Sequence, residues 1–215
     1  MIINHNHKYV FVAVMKTGSN AAAHTLNKYS KCSANHSVLD DGYKFTHFIS
    51  PPILEKLSSI NVPSKINFHV KSSTIKDHFE NEGWNFENYF KFGFVRNPWD
   101  RAVSGYSFSK FSSKGGSFKI WLEHFLNKNM FAEPTNLPQS ECLTDVDYVA
   151  RFENYDEEIT NIFAKIGLPL ENIKKYHTNK TNHKPYWEYY DNEDIIRVEN
   201  WFKKDIEIYK YKFGE

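Results

Sequence analysis

One stretch, from Lys8 to Ala23, limits what this chain can fold into more than any other. Val10, Phe11, Val12, Ala13 and Val14 form a short apolar run rich in β-branched residues, the pattern of a strand buried on both faces. At Met15–Asn20 the composition switches to Lys, Thr, Gly, Ser and Asn, and Ala21, Ala22 and Ala23 then open a helix with the best helix former. Strand, polar loop and helix in that order aim unpaired backbone N–H groups and the positive end of a helix dipole at one point. Lys16 adds a full charge there, and Thr17 and Ser19 add hydroxyls. The stretch reads as a loop for a phosphate-like anion; a plain strand–helix connection with Lys16 in water is the other reading. No glycine precedes Lys16 in the loop, so the G-x-x-x-x-G-K-[ST] pattern of ATP and GTP binders is absent.

A chain of 215 residues suits one domain, here 1–215, with a sizeable core. Aromatic residues at 17% argue against disorder. A net charge of +1 leaves no general attraction to nucleic acid or anionic membranes, so any basic site must be local. Cys32 and Cys142 are too few for a disulfide framework and have no metal-ligand spacing. Met1–Lys8 does not read as a signal peptide, and no apolar run reaches membrane-spanning length. The expectation is a cytoplasmic chain with no metal site; His5 and His7 read as a solvated tail.

The periodicity predicts the remaining elements in order. A first helix covers about 18–30, a polar irregular stretch Ser30–Ser50, and a short helix follows Pro51-Pro52 with Ile53, Leu54 and Leu57 on one face. Lys65–Val70 alternates as a strand, and Lys71-Ser72-Ser73 reads as the cap of a helix over Thr74–Glu82. Tyr89–Val95 is a third strand, after which Asn97 caps a helix with Pro98 in its first turn, running to about Lys110. A helix over Phe118–Asn127, a loop over Glu133–Leu143, a strand over Tyr148–Phe152 and a helix over Glu157–Ile166 follow. After a polar loop at Thr178–Tyr186, Asp191 caps one long final helix that carries Ile195, Val198, Trp201, Phe202, Ile206 and Tyr209. Strands alternating with helices predict an α/β fold of three layers, α/β/α, around a central parallel sheet.

A second anion site is written into Arg96 and Ser104. Arg96 ends a strand, and Ser104 lies seven positions past the cap Asn97, two helical turns on and so on the same side. A guanidinium fork and a hydroxyl suit a phosphate. Ligands in open α/β sheets collect beyond the carboxyl ends of the strands, where both Lys16 and Arg96 fall. The alternative is an Arg96–Asp100 ion pair with Ser104 merely tolerated in its helix.

At this point a family resemblance emerges. Val14-Met-Lys16-Thr-Gly-Ser19 resembles the phosphosulfate-binding loop of sulfotransferases that use 3′-phosphoadenosine 5′-phosphosulfate (PAPS). Phe92-Gly-Phe-Val-Arg96-Asn-Pro-Trp-Asp-Arg-Ala-Val-Ser104-Gly-Tyr106 is similar to their 3′-phosphate motif. Gln139–Asp145, Val149–Asn154 and Tyr186–Phe213 resemble segments of the carbohydrate-type branch. One departure stands out: the family's loop usually continues with small hydroxyl side chains after Ser19, where this chain has Asn20 and Ala21.

The resemblance implies the P-loop-like sulfotransferase fold and transfer of a sulfuryl group to a hydroxyl, with a saccharide as acceptor. It assigns the nucleotide to Lys16, Thr17, Gly18, Ser19, Asn20, Ala21, Arg96 and Ser104, with Lys184 in a loop that closes over the cofactor. His69, 27 residues before Arg96 at a strand end, is the implied general base, and His47 is the reserve. A histidine's ordinary titration range suits that work at neutral pH. A transferred sulfuryl group carries less charge than a phosphoryl group, so no Mg²⁺ clamp is expected. Arg151 and Glu153 read as packing or salt-bridge residues after a strand, with acceptor or cofactor contact as the other option. Trp187, Tyr189, Tyr190, Trp99 and Tyr106 are either a sugar-stacking wall or core. Two rival readings are a non-catalytic nucleotide-binding relative, suggested by Asn20 and Ala21, and a kinase. The missing glycine before Lys16 and the absence of an acidic Mg²⁺ ligand after a strand count against the kinase.

Overall fold

The computed structural model of the chain describes residues 1–27, 69–127, 136–169 and 184–215. The helix expected after Pro51-Pro52, the first part of the strand expected over Lys65–Val70, His47, Cys32 and the loop before Lys184 lie outside the described residues. Among the described residues, four strands form one mixed sheet in the order β1 (Ile2–Asn4), β2 (Tyr9–Val12), β3 (Phe90–Val95) and β4 (Tyr148–Arg151). β2, β3 and β4 are parallel, as the alternation of elements predicts, with Val12 beside Gly93 and Val95 beside Arg151.

β1 corrects the expectation of a solvated N-terminal tail. It pairs antiparallel with β2, Ile2 opposite Phe11. An antiparallel neighbour needs only a short connection. Here Asn4 supplies it, its Oδ1 accepting from the backbone N–H groups of Asn6 at 3.0 Å and His7 at 2.9 Å. His7 is exposed, but His5 packs edge-on against Trp84 and its Nδ1 lies 2.7 Å from the Tyr89 hydroxyl.

Strand residues alternate between two cores. Ile3, Val10, Val12, Val14 and Val95 face one layer, and Ile2, Tyr9, Phe11, Ala13, Phe92, Phe94 and Ala150 face the other. The second layer is covered by α1 (Ser19–Asn27), through Ala22, Ala23 and Leu26, and by a helix over Tyr155–Lys165, through Ile159, Ile162 and Phe163. The first is covered by α2 (Ser72–Asn81), α3 (Pro98–Phe108) and a helix over Phe118–Phe125, whose Phe118, Trp121, Leu122 and Phe125 all turn inward as their spacing predicts. Tyr106, Tyr189 and Tyr190 surround Phe118 edge-on, and Trp99 and Tyr190 meet Phe213 in the same way, so these rings are core. Trp187 alone of the suspected aromatic wall is half exposed.

Three local expectations change. α2 starts at Ser72 with no side-chain cap from Lys71, because the Ser72 hydroxyl instead lies 3.1 Å from that of Thr144 and accepts from the Asp145 N–H. Gln139–Cys142, expected as loop, is a short helix whose first N–H groups are capped by Asp205, more than sixty residues away. The long final helix bends at Phe202 into Asn192–Trp201 and Lys203–Tyr209, and Asp191 caps its start by accepting from the Asp194 N–H.

Candidate functional site

The loop after β2 has the backbone of an anion site. Lys16 adopts a left-handed conformation, φ 64°, and so does Gly18, φ 77°. That conformation costs a non-glycine residue about 1–2 kcal/mol, so the surroundings must impose it at Lys16. They do: Arg101 Nε donates to the Met15 carbonyl at 2.9 Å, Arg96 Nη1 donates to the Lys16 carbonyl at 3.3 Å, and the Thr17 hydroxyl donates to the Val14 carbonyl at 2.9 Å. The first helical bond of α1 runs from the Ala22 N–H to the Gly18 carbonyl. The N–H groups of Ser19, Asn20 and Ala21 therefore open the helix, and no acidic side chain sits in its first turn. The Thr17 hydroxyl is committed to Val14, so its backbone N–H is what it offers a ligand; Ala21 packs in the core.

A Cβ added at Gly18 would stand 2.6 Å from the Phe152 ring, in a backbone conformation that side chains rarely adopt. The Gly18→Ala variant is accordingly expected to lose about 1–3 kcal/mol of stability, measured by chemical denaturation, and to bind nucleotide more weakly as its loop shifts. Phe152 follows β4 and also stacks under Arg96, with the guanidinium 4.4 Å from the ring centre. Three neighbouring strand ends thus meet: the Lys16 loop after β2, Arg96 after β3 and Phe152 after β4.

Arg96 is mostly buried and its Nε donates to Asp100 at 2.7 Å, so the ion pair that the i,i+4 spacing allows does form. Nε and one Nη1 hydrogen are engaged there and at Lys16; the other N–H groups of the fork have no partner among the described residues. Ser104 is buried on α3, seven positions past the capping Asn97. Glu153 is structural: its carboxylate accepts from the Asn97 N–H at 2.6 Å and from the Tyr211 hydroxyl at 3.1 Å. Arg151 donates to the Tyr209 carbonyl and lies over the Tyr211 ring.

Arg96 has the Asp100 carboxylate beside it, but Lys16 has no such neighbour among the described residues. Burial, and then the neighbouring Arg96, pull the Lys16 ammonium down to about 8. Its Nζ rests over the Phe108 ring, 4.0 Å from the centre, and no carboxylate pairs with it among the described residues. A partly buried cation beside a second cation is the arrangement an anion relieves.

His69 joins this group across 56 residues of sequence. Its Nδ1 donates to the Ala13 carbonyl at 2.8 Å, three residues before Lys16. A carbonyl can only accept, so Nδ1 carries the proton and Nε2 carries the lone pair of the neutral ring. The ordinary titration range expected for it does not hold. Burial lowers its pKa to about 4; the Ala13 carbonyl opposes this, while the chain's amino terminus, Arg101 and Lys16 reinforce it. Lys184 is three-quarters exposed and pairs with Glu188 at 4.0 Å.

The sequence motifs contain Arg101 and Gln139, but their roles come only from the fold. Arg101 is fully buried, and Gln139 forms both hydrogen bonds of the Arg96 peptide group. A charged residue on the inward face of α3 was the available signal for Arg101. No local signal marks Gln139, Phe108 or Phe152.

Residues 1–212 match a family described as "Sulfotransferase family". An uncharacterized protein of Archaeoglobus fulgidus is 35% identical over 91 residues, which span 40% of this chain and 74% of that one. Among solved structures, a sulfotransferase from Alicyclobacillus acidocaldarius aligns with a TM-score of 0.47 at 12% identity, over 94% of this chain and 98% of its own. A retinol dehydratase in complex with androsterone and inactive cofactor PAP aligns with a TM-score of 0.42 at 13% identity, over 97% and 83%.

Proposed function

This chain belongs to the sulfotransferase family, and from that premise we propose that it moves a sulfuryl group from PAPS to an acceptor hydroxyl. The acceptor class is a carbohydrate, on the strength of the segments Gln139–Asp145, Val149–Asn154 and Tyr186–Phe213. One observation carries the reading: Lys16, a partly buried cation without a carboxylate partner among the described residues, stands beside Arg96 at adjacent strand ends, and His69 is hydrogen-bonded to Ala13 just before it.

The residues fit a ligand with two phosphate groups. Lys16 and the N–H groups of Ser19, Asn20 and Ala21 suit the 5′ end, and Arg96 with Ser104 suits the 3′-phosphate. In the transfer, the bond from sulfur to the phosphate oxygen breaks as a bond from the acceptor oxygen to sulfur forms. His69 Nε2 takes the acceptor's proton, and Lys16 stabilises the charge left on the departing phosphate. A ligand bearing phosphates offsets the positive charges of Lys16 and Arg101 that help depress His69. That lifts the smaller part of the depression, owed to charge, while the part owed to burial remains, so the ring is a somewhat stronger base with the nucleotide in place.

The direct test supplies PAPS and a mixed saccharide panel and follows labelled sulfate onto sugar. Label that reaches no acceptor hydroxyl would sink the proposal. Activity is expected to survive EDTA; a loss restored specifically by Mg²⁺ would favour a kinase-like reaction instead.

Lys16 also gives binding a pH dependence. The anion binds the ammonium form, and in the free protein that form is lost above about 8. Affinity for adenosine 3′,5′-bisphosphate is therefore expected to be full below pH 8. Above it, the Kd from calorimetry should rise by about tenfold per pH unit until the bound-state pKa is reached. The Lys16→Arg variant, charged throughout, should lose that slope.

A further inference from the structure

We propose that the segment from Leu137 to Ser140, held by Arg101 and Asp205, is a clamp that fixes the separation of Lys16 and Arg96 and so sets the preference for a ligand with two phosphates over one. The proposal rests on the two-site reading above.

Gln139 is the first part of the clamp. It is fully buried, and its side-chain amide receives the Arg96 N–H on Oε1 at 2.8 Å and donates from Nε2 to the Arg96 carbonyl at 2.8 Å. The pairing of β3 with β4 ends at Val95 and Arg151, one residue short of Arg96. A side chain thus does for Arg96 what a neighbouring strand does for Val95, and an amide is the group that can both accept and donate there.

Arg101 is the second part. One guanidinium donates to the Met15 carbonyl at 2.9 Å, in the residue before Lys16, and to the Leu137 carbonyl at 3.0 Å, two residues before Gln139. Asp205 is the third. Its carboxylate accepts from the Gln139 N–H at 2.6 Å and the Ser140 N–H at 2.8 Å, and its charge favours the ionised form of the fully buried Arg101. The backbone of Arg96 directly, and that of Lys16 through Met15, therefore hang from one short segment.

Gln139, Arg101 and Asp205 act through Lys16 and Arg96 and are positioning residues. A ligand with a single phosphate uses one site and is indifferent to the distance between the two. A ligand with phosphates at both ends gains from the second contact only while that distance is held. A looser clamp should lower the preference for two phosphates and leave single-site binding alone, which general loss of structure would not do.

Calorimetry with adenosine 3′,5′-bisphosphate and adenosine 5′-monophosphate separates these cases. In Gln139→Met, which keeps the volume and loses both amide bonds, the ratio of the two dissociation constants should fall by about tenfold or more. Affinity for the monophosphate should stay within about threefold. Asp205→Asn, which loosens the hold on the Gln139 and Ser140 N–H groups without touching the Lys16 loop, should move the ratio the same way. If Gln139→Met does not fold, Asp205→Asn carries the same measurement. A wild-type ratio in the folded variants, or equal weakening of both ligands, overturns the clamp. A wild-type protein that does not distinguish the two nucleotides overturns the two-site reading itself, and is recognised before any variant is made.

Discussion

Replacing His69 with Asn is expected to lower sulfate transfer by about 10²-fold or more, with nucleotide affinity within a few-fold of the wild type. Asparagine can place its amide nitrogen where Nδ1 now donates to the Ala13 carbonyl, so the link between His69 and the Lys16 loop survives. Nothing in asparagine replaces Nε2, the nitrogen that carries the lone pair. Steady-state transfer beside calorimetry with adenosine 3′,5′-bisphosphate separates the two effects. A second signature follows from burial. The unfolded chain takes up a proton on this histidine near 6.5, and the folded chain does so only near 4. The contribution to stability is complete above pH 6.5 and is lost as the pH falls toward 4. The variant's melting temperature should therefore fall less steeply over that range. Unchanged transfer by His69→Asn would return the proton to His47 or another group.

The parts of this fold that were legible are the parts decided within about ten residues. The apolar run at Val10–Val14, the polar loop and the alanines gave β2, the loop and α1 because period and propensity act locally. Phe92–Val95 followed by Asn97-Pro98 gave β3 and α3, with the Asn97 side chain accepting from the Trp99 N–H as a cap should. The motif containing Lys16 and the one containing Arg96 placed both at strand ends. What the sequence hid was decided by partners far along the chain. The helix at Gln139 forms because Asp205 caps it, and neither residue advertises the other. Arg96 has its peptide bonded by Gln139 across 43 positions, and Glu153 fills the N–H of Asn97 across 56. Hydroxyls mislead for the same reason: Thr17 and Ser72 look available in sequence, and both are engaged within the fold. Burial hides best of all. Nothing local says that His69 is buried against Ala13 with Arg101 and Lys16 nearby, and that burial is why an ordinary titration range does not hold.

Adenosine 3′,5′-bisphosphate should raise the melting temperature clearly, and ATP at the same concentration should raise it much less. The bisphosphate can engage the Lys16 loop through its 5′-phosphate and Arg96 through its 3′-phosphate, whereas ATP has nothing to offer the second site. A ligand at about 100 times its dissociation constant stabilises a fold by roughly 2.7 kcal/mol. For a chain of this size that corresponds to about 5–10 °C. Mg²⁺ should add nothing, since neither Lys16 nor Arg96 acts through a metal in this reading. Arg96→Ala removes a charge-assisted contact worth about 1.5–3 kcal/mol and should erase most of the bisphosphate's advantage over ATP. That variant also loses the Asp100 pair and the bond to the Lys16 carbonyl, so its ligand-free melt will be lower. The ligand-induced shift, measured from each variant's own baseline, is the quantity that counts. Arg96→Lys keeps the charge and loses the fork, and should fall between the two because a point charge attracts the phosphate without fixing it. Lys16→Ala should weaken both nucleotides together, because both carry a 5′-phosphate. An equal shift from ATP and the bisphosphate in the wild-type protein would reduce Arg96 to its ion pair with Asp100 and leave a single anion site at the Lys16 loop.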